Sequence, residues 1–290
     1  MLEHLNSDAV PPRRVVVMGA AGFVGGAIAK RLARDGVPVL ALGRAEIDLL
    51  AADADRRLAA LLKPGDVFVA VSARAPVKNS DMLVDNIVMA RSMVRALAEV
   101  PPAHVVNISS DAIYADSDRP LNEGSCAAPA SLHGAMHMAR EQMFLAEVRA
   151  PMAMLRPSLL YGADDPHNGY GPNRFGRLAQ KGENIVLFGE GEERRDHVYI
   201  GDVAELAARV ILRRSRGALN IATGEVHSFR EIAEQIVRLS GRVVGIKGSP
   251  RSGPMPHNGL RPFDIAACRA AFPDFRYTTL ERGLELARKA

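Results

Sequence analysis

A glycine-rich turn between a strand and a helix is the feature that constrains this chain most. Residues 15–18 form a β-branched run, and residues 23–35 carry apolar side chains at helical spacing up to Gly36, a residue typical of a helix end. The turn between them reads Gly19-Ala20-Ala21-Gly22-Phe23-Val24-Gly25. A strand, a tight turn and a helix in this order predict the first unit of a parallel α/β domain.

Each glycine of this turn has a separate physical role. Gly19 permits the tight turn, Gly22 leaves room for a pyrophosphate against the backbone, and Gly25 lets the helix pack closely on the sheet. The helix start at Phe23 and Val24 offers free N–H groups and the positive end of the helix dipole. The turn therefore predicts a dinucleotide-binding site; the alternative is an ordinary turn of a parallel α/β protein.

Strands and helices continue to alternate along the chain. This alternation predicts an α/β fold, a Rossmann-type doubly wound parallel sheet. Further strands are expected at residues 37–42, 67–71, 105–108 and 153–156, and helices at 86–99, 133–148, 203–212, 229–239 and 280–288.

The domain organisation follows from the same pattern. Residues 1–12 are polar and end in two prolines, so they are expected to form a loose arm. Residues 13–160 are interpreted as the dinucleotide-binding domain. Residues 161–290 are interpreted as a smaller, mainly substrate-binding lobe, with some segments returning to the Rossmann core.

The end of the second strand bears on the choice of dinucleotide. An NAD site usually has an acidic residue there, whereas this chain has Gly43 followed by Arg44. The guanidinium of Arg44 suits a 2′-phosphate, which favours NADP, with NAD as the alternative. Asp48 is expected either at the adenine edge or as the N-cap of a following helix.

Composition excludes several classes of protein. The chain has 290 residues, 48% hydrophobic and 24% charged, which is typical of a globular protein. No apolar run is long enough for a membrane span, and the N-terminus has no signal-peptide centre. The net charge of +4 is spread along the chain, so nucleic acid is not the expected partner. Two distant cysteines form no disulfide framework or metal motif, which indicates a cytoplasmic protein without a metal site.

Several further motifs carry a resemblance to a known family. They include Ser109-Ser110-Asp111-Ala112-Ile113-Tyr114, Arg156-Pro157-Ser158-Leu159-Leu160-Tyr161-Gly162 and Arg194-Arg195-Asp196. With the spaced glycines, they identify the chain as resembling the extended short-chain dehydrogenases/reductases of the NAD-dependent epimerase/dehydratase family. Its length and residues 46–49 are similar to the dTDP-4-dehydrorhamnose reductases, a branch of short members.

The resemblance implies roles for matched positions. Ser110 falls on the catalytic serine or threonine, and Pro157 falls beside the nicotinamide. Ala73 and Asn86 fall on cofactor-binding segments. Arg195 falls on the arginine that holds the pyrophosphate of a sugar nucleotide, and the remaining substrate-binding candidates are Asp111, Tyr161 and Arg261. A guanidinium suits a diphosphate, although Arg195 also has acidic neighbours that would suit a surface ion pair.

The chain departs from the family at its working pair of residues. Where the family has Tyr-x-x-x-Lys, the aligned stretch has His133 and His137, while Gly134 and Glu141 keep the family pattern. An imidazole is a competent acid or base at neutral pH. Its tip ends roughly 2 Å short of a tyrosine oxygen, however, and a misplacement of about 1 Å can cost a hundredfold in rate.

Three hypotheses for the two histidines stay open at the level of sequence. They carry altered acid–base catalysis, they are packing residues of a protein that has lost catalysis, or they bind a metal from positions i and i+4. The resemblance implies an NAD(P)-dependent reductase, epimerase or dehydratase acting on a nucleotide sugar or similar polar compound. The alternatives are a non-redox enzyme and an inactive dinucleotide-binding sensor or scaffold.

Family members often form homodimers through the helices that correspond to residues 86–99 and 133–148. A homodimer is therefore expected, with burial inside one subunit as the alternative for the apolar residues of these helices. Those residues are Met89, Met93, Leu97, Met136, Met143 and Phe144.

Overall fold

A computed structural model describes residues 2–289 of the chain. Its central sheet has six parallel strands, β1 Val15–Met18, β2 Val39–Leu42, β3 Val67–Ala70, β4 His104–Ile108, β5 Met152–Pro157 and β10 Gly217–Ile221. Their spatial order is β2-β1-β3-β4-β5-β10. These strands are almost continuously apolar because helices cover both faces of the sheet.

The two faces of the sheet are covered by different helices. The helices are α1 Phe23–Arg34, α2 Ala54–Leu61, α3 Ser80–Glu99, α4 Leu132–Glu147, α5 Pro172–Lys181, α6 Ile200–Leu212, α7 Phe229–Ser240, α8 Ala266–Ala271 and α9 Leu280–Lys289. Val15 and Val17 of β1 pack with α1 and α6, and the alternating residues Val16 and Met18 pack with α2, α3 and α4. This arrangement is the doubly wound sheet that the alternation of strands and helices predicts.

The second half of the chain builds a smaller lobe around its own core. Tyr161, Phe175 and Phe229 lie in this core together with apolar residues of α7 and α9. Helix α6 and strand β10 also come from the second half of the chain but belong to the main domain. Helix α6 packs on one face of the main sheet, and β10 pairs with β5 at its edge. The lobe's short strands are β6 Leu159–Tyr161, β7 Ile185–Phe188, β8 Arg194–Arg195, β9 His197–Tyr199, β11 His227–Ser228, β12 Ile246–Ser249 and β13 Leu260–Arg261.

Three local expectations are corrected by the structure. The N-terminal arm is not loose, because Glu3 forms an antiparallel bridge with Arg216 and His4 hydrogen-bonds Ser215. Helix α3 begins at Ser80 rather than at Asn86, because the Asn79 side chain caps it by accepting from the amide of Met82. Residue 48 caps no helix, since α2 begins only at Ala54.

The apolar residues expected at a dimer contact lie mostly inside the subunit. Met93, Leu97, Met136 and Phe144 are at most 1% exposed. They therefore contribute to the core between α3, α4 and the sheet, and the homodimer stays a prediction that needs other residues. Among the described residues no helix is both long and apolar enough to cross a bilayer.

Candidate active site

The turn after β1 has the geometry of a phosphate cradle. Gly19 has a φ of +105°, and a Cβ at Gly25 would lie 2.1 Å from the carbonyl oxygen of Gly19. Gly22 is the N-cap of α1 and brings no capping side chain, so the amides of the first helical turn point toward the cavity beside them. Gly19 and Gly22 line the cavity without a side chain, so a pyrophosphate could approach the backbone there, and the residues present thus fit a dinucleotide.

A cavity of about 760 Å³ opens at the carboxyl ends of the parallel strands. It reaches from the glycine turn to the start of α4 and to the small lobe. This edge of a doubly wound sheet, where the strand order reverses between β1 and β3, is where such folds bind ligands. The cavity brings together most of the residues predicted from sequence, namely Gly19, Gly22, Phe23, Val24, Arg44, Asp48, Ala73, Ser110, Asp111, His133, His137, Pro157 and Arg195.

The end of β2 presents both a cation and an anion to this cavity. The Arg44 side chain is 84% exposed and its Nη2 lies 3.4 Å from Asp48 Oδ2. The Asp48 Oδ1 atom accepts from the amide of Leu50, and Glu46 accepts from the amide of Gly43 at 2.7 Å. Because Arg44 is exposed and only loosely paired, its guanidinium is free to turn toward a phosphate.

Ser110 lies directly after the loop end of β4 and starts a short 3₁₀ turn. Its Oγ accepts from the amide of Ala112 at 3.1 Å and donates to Asp111 Oδ1 at 3.4 Å. The other oxygen of Asp111 accepts from Arg261 Nε at 2.9 Å. Ser110 therefore faces the cavity from a loop held in place by a buried ion pair.

The two histidines of α4 both line the cavity and contact each other. Their ring centroids are 4.7 Å apart and their planes are nearly perpendicular. Burial lowers the pKa of His133 below its ordinary value, an effect that the Asp111 carboxylate opposes. Burial, with help from His133 and Arg140, lowers the pKa of His137 well below its ordinary value. Both imidazoles are thus neutral at pH 7, and the buried Nδ1 atom of each has no hydrogen-bond partner among the described residues.

Four predicted site residues lie outside the cavity wall. Gly25 lets α1 pack closely against the turn, because a Cβ at this position would collide with the carbonyl oxygen of Gly19. The side chain of Asn86 accepts from and donates to the backbone of Arg74, and so holds the loop that follows Ala73.

Tyr161 and Arg261, which the resemblance implies as substrate-binding residues, are buried and do not line the cavity. Tyr161 is fully buried in the small lobe, where its hydroxyl lies against the backbone of Gly283. Arg261 is 2% exposed and is occupied by Asp111 and Asp116. Tyr161 packs inside the lobe, Arg261 ties the lobe to the loop that carries Asp111, and a substrate-binding role for either stays a prediction.

Arg195 faces the small-lobe side of the cavity, with His197 on the same side of the backbone two residues later. The Nη1 atom of Arg195 lies 3.2 Å from Glu193, so part of its charge is already paired. His197 was not expected from the sequence. Its Nδ1 bonds the carbonyl of Arg195 at 3.1 Å, and its buried Nε2 has no partner in the described residues. Burial lowers the pKa of His197 to about 3, so this ring remains neutral.

A second residue that the sequence did not indicate is Arg140, three positions after His137. The residue is 2% exposed, and its guanidinium donates to Asn107 Oδ1 at 2.8 Å and to the carbonyl of Ser72 at 2.7 Å. The one sequence signal that could have indicated Arg140 is its spacing of three residues from His137, which places both on the same face of α4. In the part of the chain that the structure describes, no group of three His, Cys, Asp or Glu side chains is arranged to hold a metal ion.

The sequence of this chain is similar to those of known proteins. The sequence model of the NAD dependent epimerase/dehydratase family matches residues 15–222. The chain is 28% identical over 264 residues to UDP-glucose 4-epimerase of Mycolicibacterium smegmatis, covering 79% of this chain and 83% of that protein. It is 26% identical over 293 residues to dTDP-4-dehydro-6-deoxy-D-allose reductase of Streptomyces bikiniensis, covering 85% and 87%.

A solved structure supports the fold. The UDP-glucose 4-epimerase of Thermus thermophilus, crystallised in complex with NAD, superposes with a TM-score of 0.81 at 22% identity. The superposition covers 95% of this chain and 97% of that one. The Rossmann-type fold and the family resemblance predicted from the sequence are confirmed.

Proposed function

We propose, since the chain belongs to the NAD dependent epimerase/dehydratase family, that it transforms a nucleotide sugar with a nicotinamide dinucleotide and uses His133 where the family uses tyrosine. The observation that carries this proposal is the placement of Ser110, His133 and the glycine turn on one cavity. A nicotinamide bound beside Pro157 would accept or return the hydride of a substrate carbon. The relatives that act on UDP-glucose and on a dTDP-sugar support a nucleotide sugar as substrate.

The proton chemistry falls to the two side chains that face the substrate end of the cavity. The neutral imidazole of His133 would accept the hydroxyl proton as the substrate O–H bond breaks, while a bound nicotinamide coenzyme would take up the hydride from the adjacent carbon. Ser110 donates a hydrogen bond to the reacting oxygen, and its loop is fixed by the Asp111–Arg261 pair. Reversal returns the proton from His133 to a carbonyl oxygen.

His137 is proposed to orient His133. Its ring packs edge-on against that of His133 and restricts the rotation of the first ring. Since the pKa of His137 is lowered well below its ordinary value, it stays neutral and does not repel a protonated His133. An imidazole reaches less far than the side chain of a tyrosine. The substrate therefore has to lie closer to α4, or a water molecule has to bridge the gap.

Arg195 is proposed to hold the diphosphate of the nucleotide sugar. It is the cation on the small-lobe wall of the cavity, and a guanidinium can bind two phosphate oxygens at once. NADP is the proposed preference at the other end of the cavity, because Arg44 is exposed there. NAD is the coenzyme in the family description and in the Thermus thermophilus complex, so both coenzymes belong in any test.

The test is turnover of UDP- and dTDP-sugars by the purified protein and by two variants. His133→Ala should lower kcat by about a hundredfold or more, because the proton acceptor is lost. The double variant His133→Tyr with His137→Lys should keep or raise activity, since it restores the family pair. An active protein that tolerates His133→Ala would exclude the acid–base role, and a protein that binds the coenzyme without turnover would favour the non-catalytic sensor.

A further inference from the structure

We propose that Arg140 is a positioning residue that supplies, from beneath the cavity, the fixed positive charge missing from position 137. This inference rests on the proposed function, because it concerns the electrostatics around a bound nicotinamide. It goes beyond that function in assigning to an arginine the task of biasing the redox state of the coenzyme. The family resemblance puts a lysine at position 137, where this chain has a neutral imidazole.

The first support is that Arg140 is buried without a counterion. Arg140 is 2% exposed as a whole residue and takes part in none of the ion pairs within the described residues; its guanidinium carbon lies 5.8 Å from the centre of the Phe144 ring. Its Nη2 atom is buried with no hydrogen-bond partner there. Arg261 is equally buried, yet it is paired with Asp111 and Asp116. Of these two equally buried arginines, Arg140 is the one without a carboxylate partner in the described residues.

An unpaired buried charge is expensive, so its presence needs an explanation. Taking a cation out of water without a partner costs several kcal/mol, and an apolar side chain of similar length would avoid this cost. Burial lowers the pKa of Arg140 only to about 10, so the group is still a cation at pH 7. The two hydrogen bonds to Asn107 and Ser72 tie α4 to β3 and β4, but a neutral donor could make similar bonds.

The second support is the place of this charge relative to the site. Arg140 is three residues after His137, on the same face of α4 and one turn farther from the helix start. The carbonyl it binds belongs to Ser72, which lines the cavity and whose amide lies against Gly19 of the turn. The charge is thus held between the imidazole pair and the loop that carries Ala73.

A fixed cation here acts on the charge difference between the two forms of the coenzyme. The oxidised nicotinamide ring is positive and the reduced ring is neutral, so a nearby cation disfavours the oxidised ring. In the low-dielectric interior such repulsion is weakened little by water. Arg140 should therefore make the bound coenzyme a stronger hydride acceptor without touching the substrate.

The test is the ratio of the dissociation constants of the oxidised and reduced coenzymes, measured by calorimetry without any substrate. Arg140→Met removes the charge and should lower the ratio Kd(oxidised)/Kd(reduced) by roughly tenfold, the effect of one unit charge about 10 Å away at an effective dielectric constant near 20. Arg140→Lys keeps the charge and should leave the ratio within about threefold of wild type. Arg209→Met is the matched control, since Arg209 lies on α6 and pairs with Glu205 and Asp274.

The outcomes separate this inference from the proposed function. If Arg140→Met lowers the melting temperature but leaves the ratio unchanged, Arg140 is only a structural tie and the inference is overturned. If wild type binds neither form of either coenzyme, the proposed function fails and the inference fails with it. Arg140→Gln, whose amide can still donate to the Ser72 carbonyl, provides the neutral comparison should the methionine variant not fold.

Discussion

At the scale of single residues, the site combines side chains that the family uses with side chains that change its chemistry. Ser110 is predicted to take the position of the family's hydroxyl, and His133 the position of its tyrosine, where it would bring a group with a much lower ordinary pKa. The lowered pKa of both α4 histidines comes mainly from burial, so neutral imidazole is the resting state. A base that starts neutral can accept a proton at pH 7 without a lysine to lower its pKa.

The choice between the two coenzymes is predicted at Arg44. Arg44→Ala should weaken NADPH binding by about tenfold or more, because a charge-assisted contact to the 2′-phosphate is lost, and should change NADH binding little. Calorimetry or fluorescence titration with both coenzymes measures this directly. Equal weakening of both would show that the arginine does not bind a 2′-phosphate. Arg34→Ala is a suitable control, since that arginine lies at the other end of α1.

At the scale of elements, the strand–turn–helix unit could be predicted almost to the residue. The sequence predicts a strand at 15–18 and a helix from residue 23, and β1 and α1 lie there. This unit is predictable because β-branched residues, glycines and helical spacing act over a few neighbouring residues. Helix α2 and helix α5 were not predicted, because their apolar residues are few and their helical state depends on packing against the rest of the chain.

The close contact between α1 and the turn gives a prediction for Gly25. Gly25→Ala should destabilise the protein by about 2–3 kcal/mol and abolish coenzyme binding, because its Cβ would lie 2.1 Å from a backbone oxygen and would force the turn apart. Urea unfolding and coenzyme titration measure the two effects. Gly176→Ala in α5 is the matched control, since no atom lies within 4 Å of its added Cβ and helix propensity favours alanine. A Gly25→Ala protein that binds coenzyme normally would contradict the cradle.

At the scale of the whole molecule, the lobe and the sheet are joined by buried polar groups. Asp196 accepts hydrogen bonds from Ser158 and Thr223, and Asp202 accepts from Thr278. His4 and His104 both contact Ser215, which ties the N-terminal arm and β4 to the segment before β10. Such contacts join residues that are distant in sequence and make the stability of the molecule sensitive to pH.

The pH dependence is predicted from histidines that are buried in the neutral form. Burial lowers the pKa of His104 to about 4, whereas the same group titrates near 6.5 in the unfolded chain. Between pH 6.5 and 4 the unfolded state therefore binds a proton that the native state does not bind, so stability falls as the pH falls. From pH 7 to pH 5 His104 alone should cost about 2 kcal/mol.

This contribution can be isolated with one variant. His104→Gln keeps a donor for the Ser215 carbonyl and does not titrate, so its loss of stability between pH 7 and pH 5 should be smaller than that of wild type by about 2 kcal/mol. Urea unfolding at the two pH values gives the difference. An identical loss in both proteins would mean that His104 is protonated in the native state.

Contiguous motifs were enough to predict the parallel α/β class, and they also predict the phosphate cradle and two histidines at the family's tyrosine and lysine positions. These properties rest on local backbone preferences and on motifs that are contiguous in the chain. Three further properties became known from the packing of the chain: Arg261 is paired with Asp111, Tyr161 lies in the core of the lobe, and Arg140 is buried without a carboxylate partner in the described residues. Burial and the availability of a partner depend on which distant segments pack together, and no local pattern of residues specifies this.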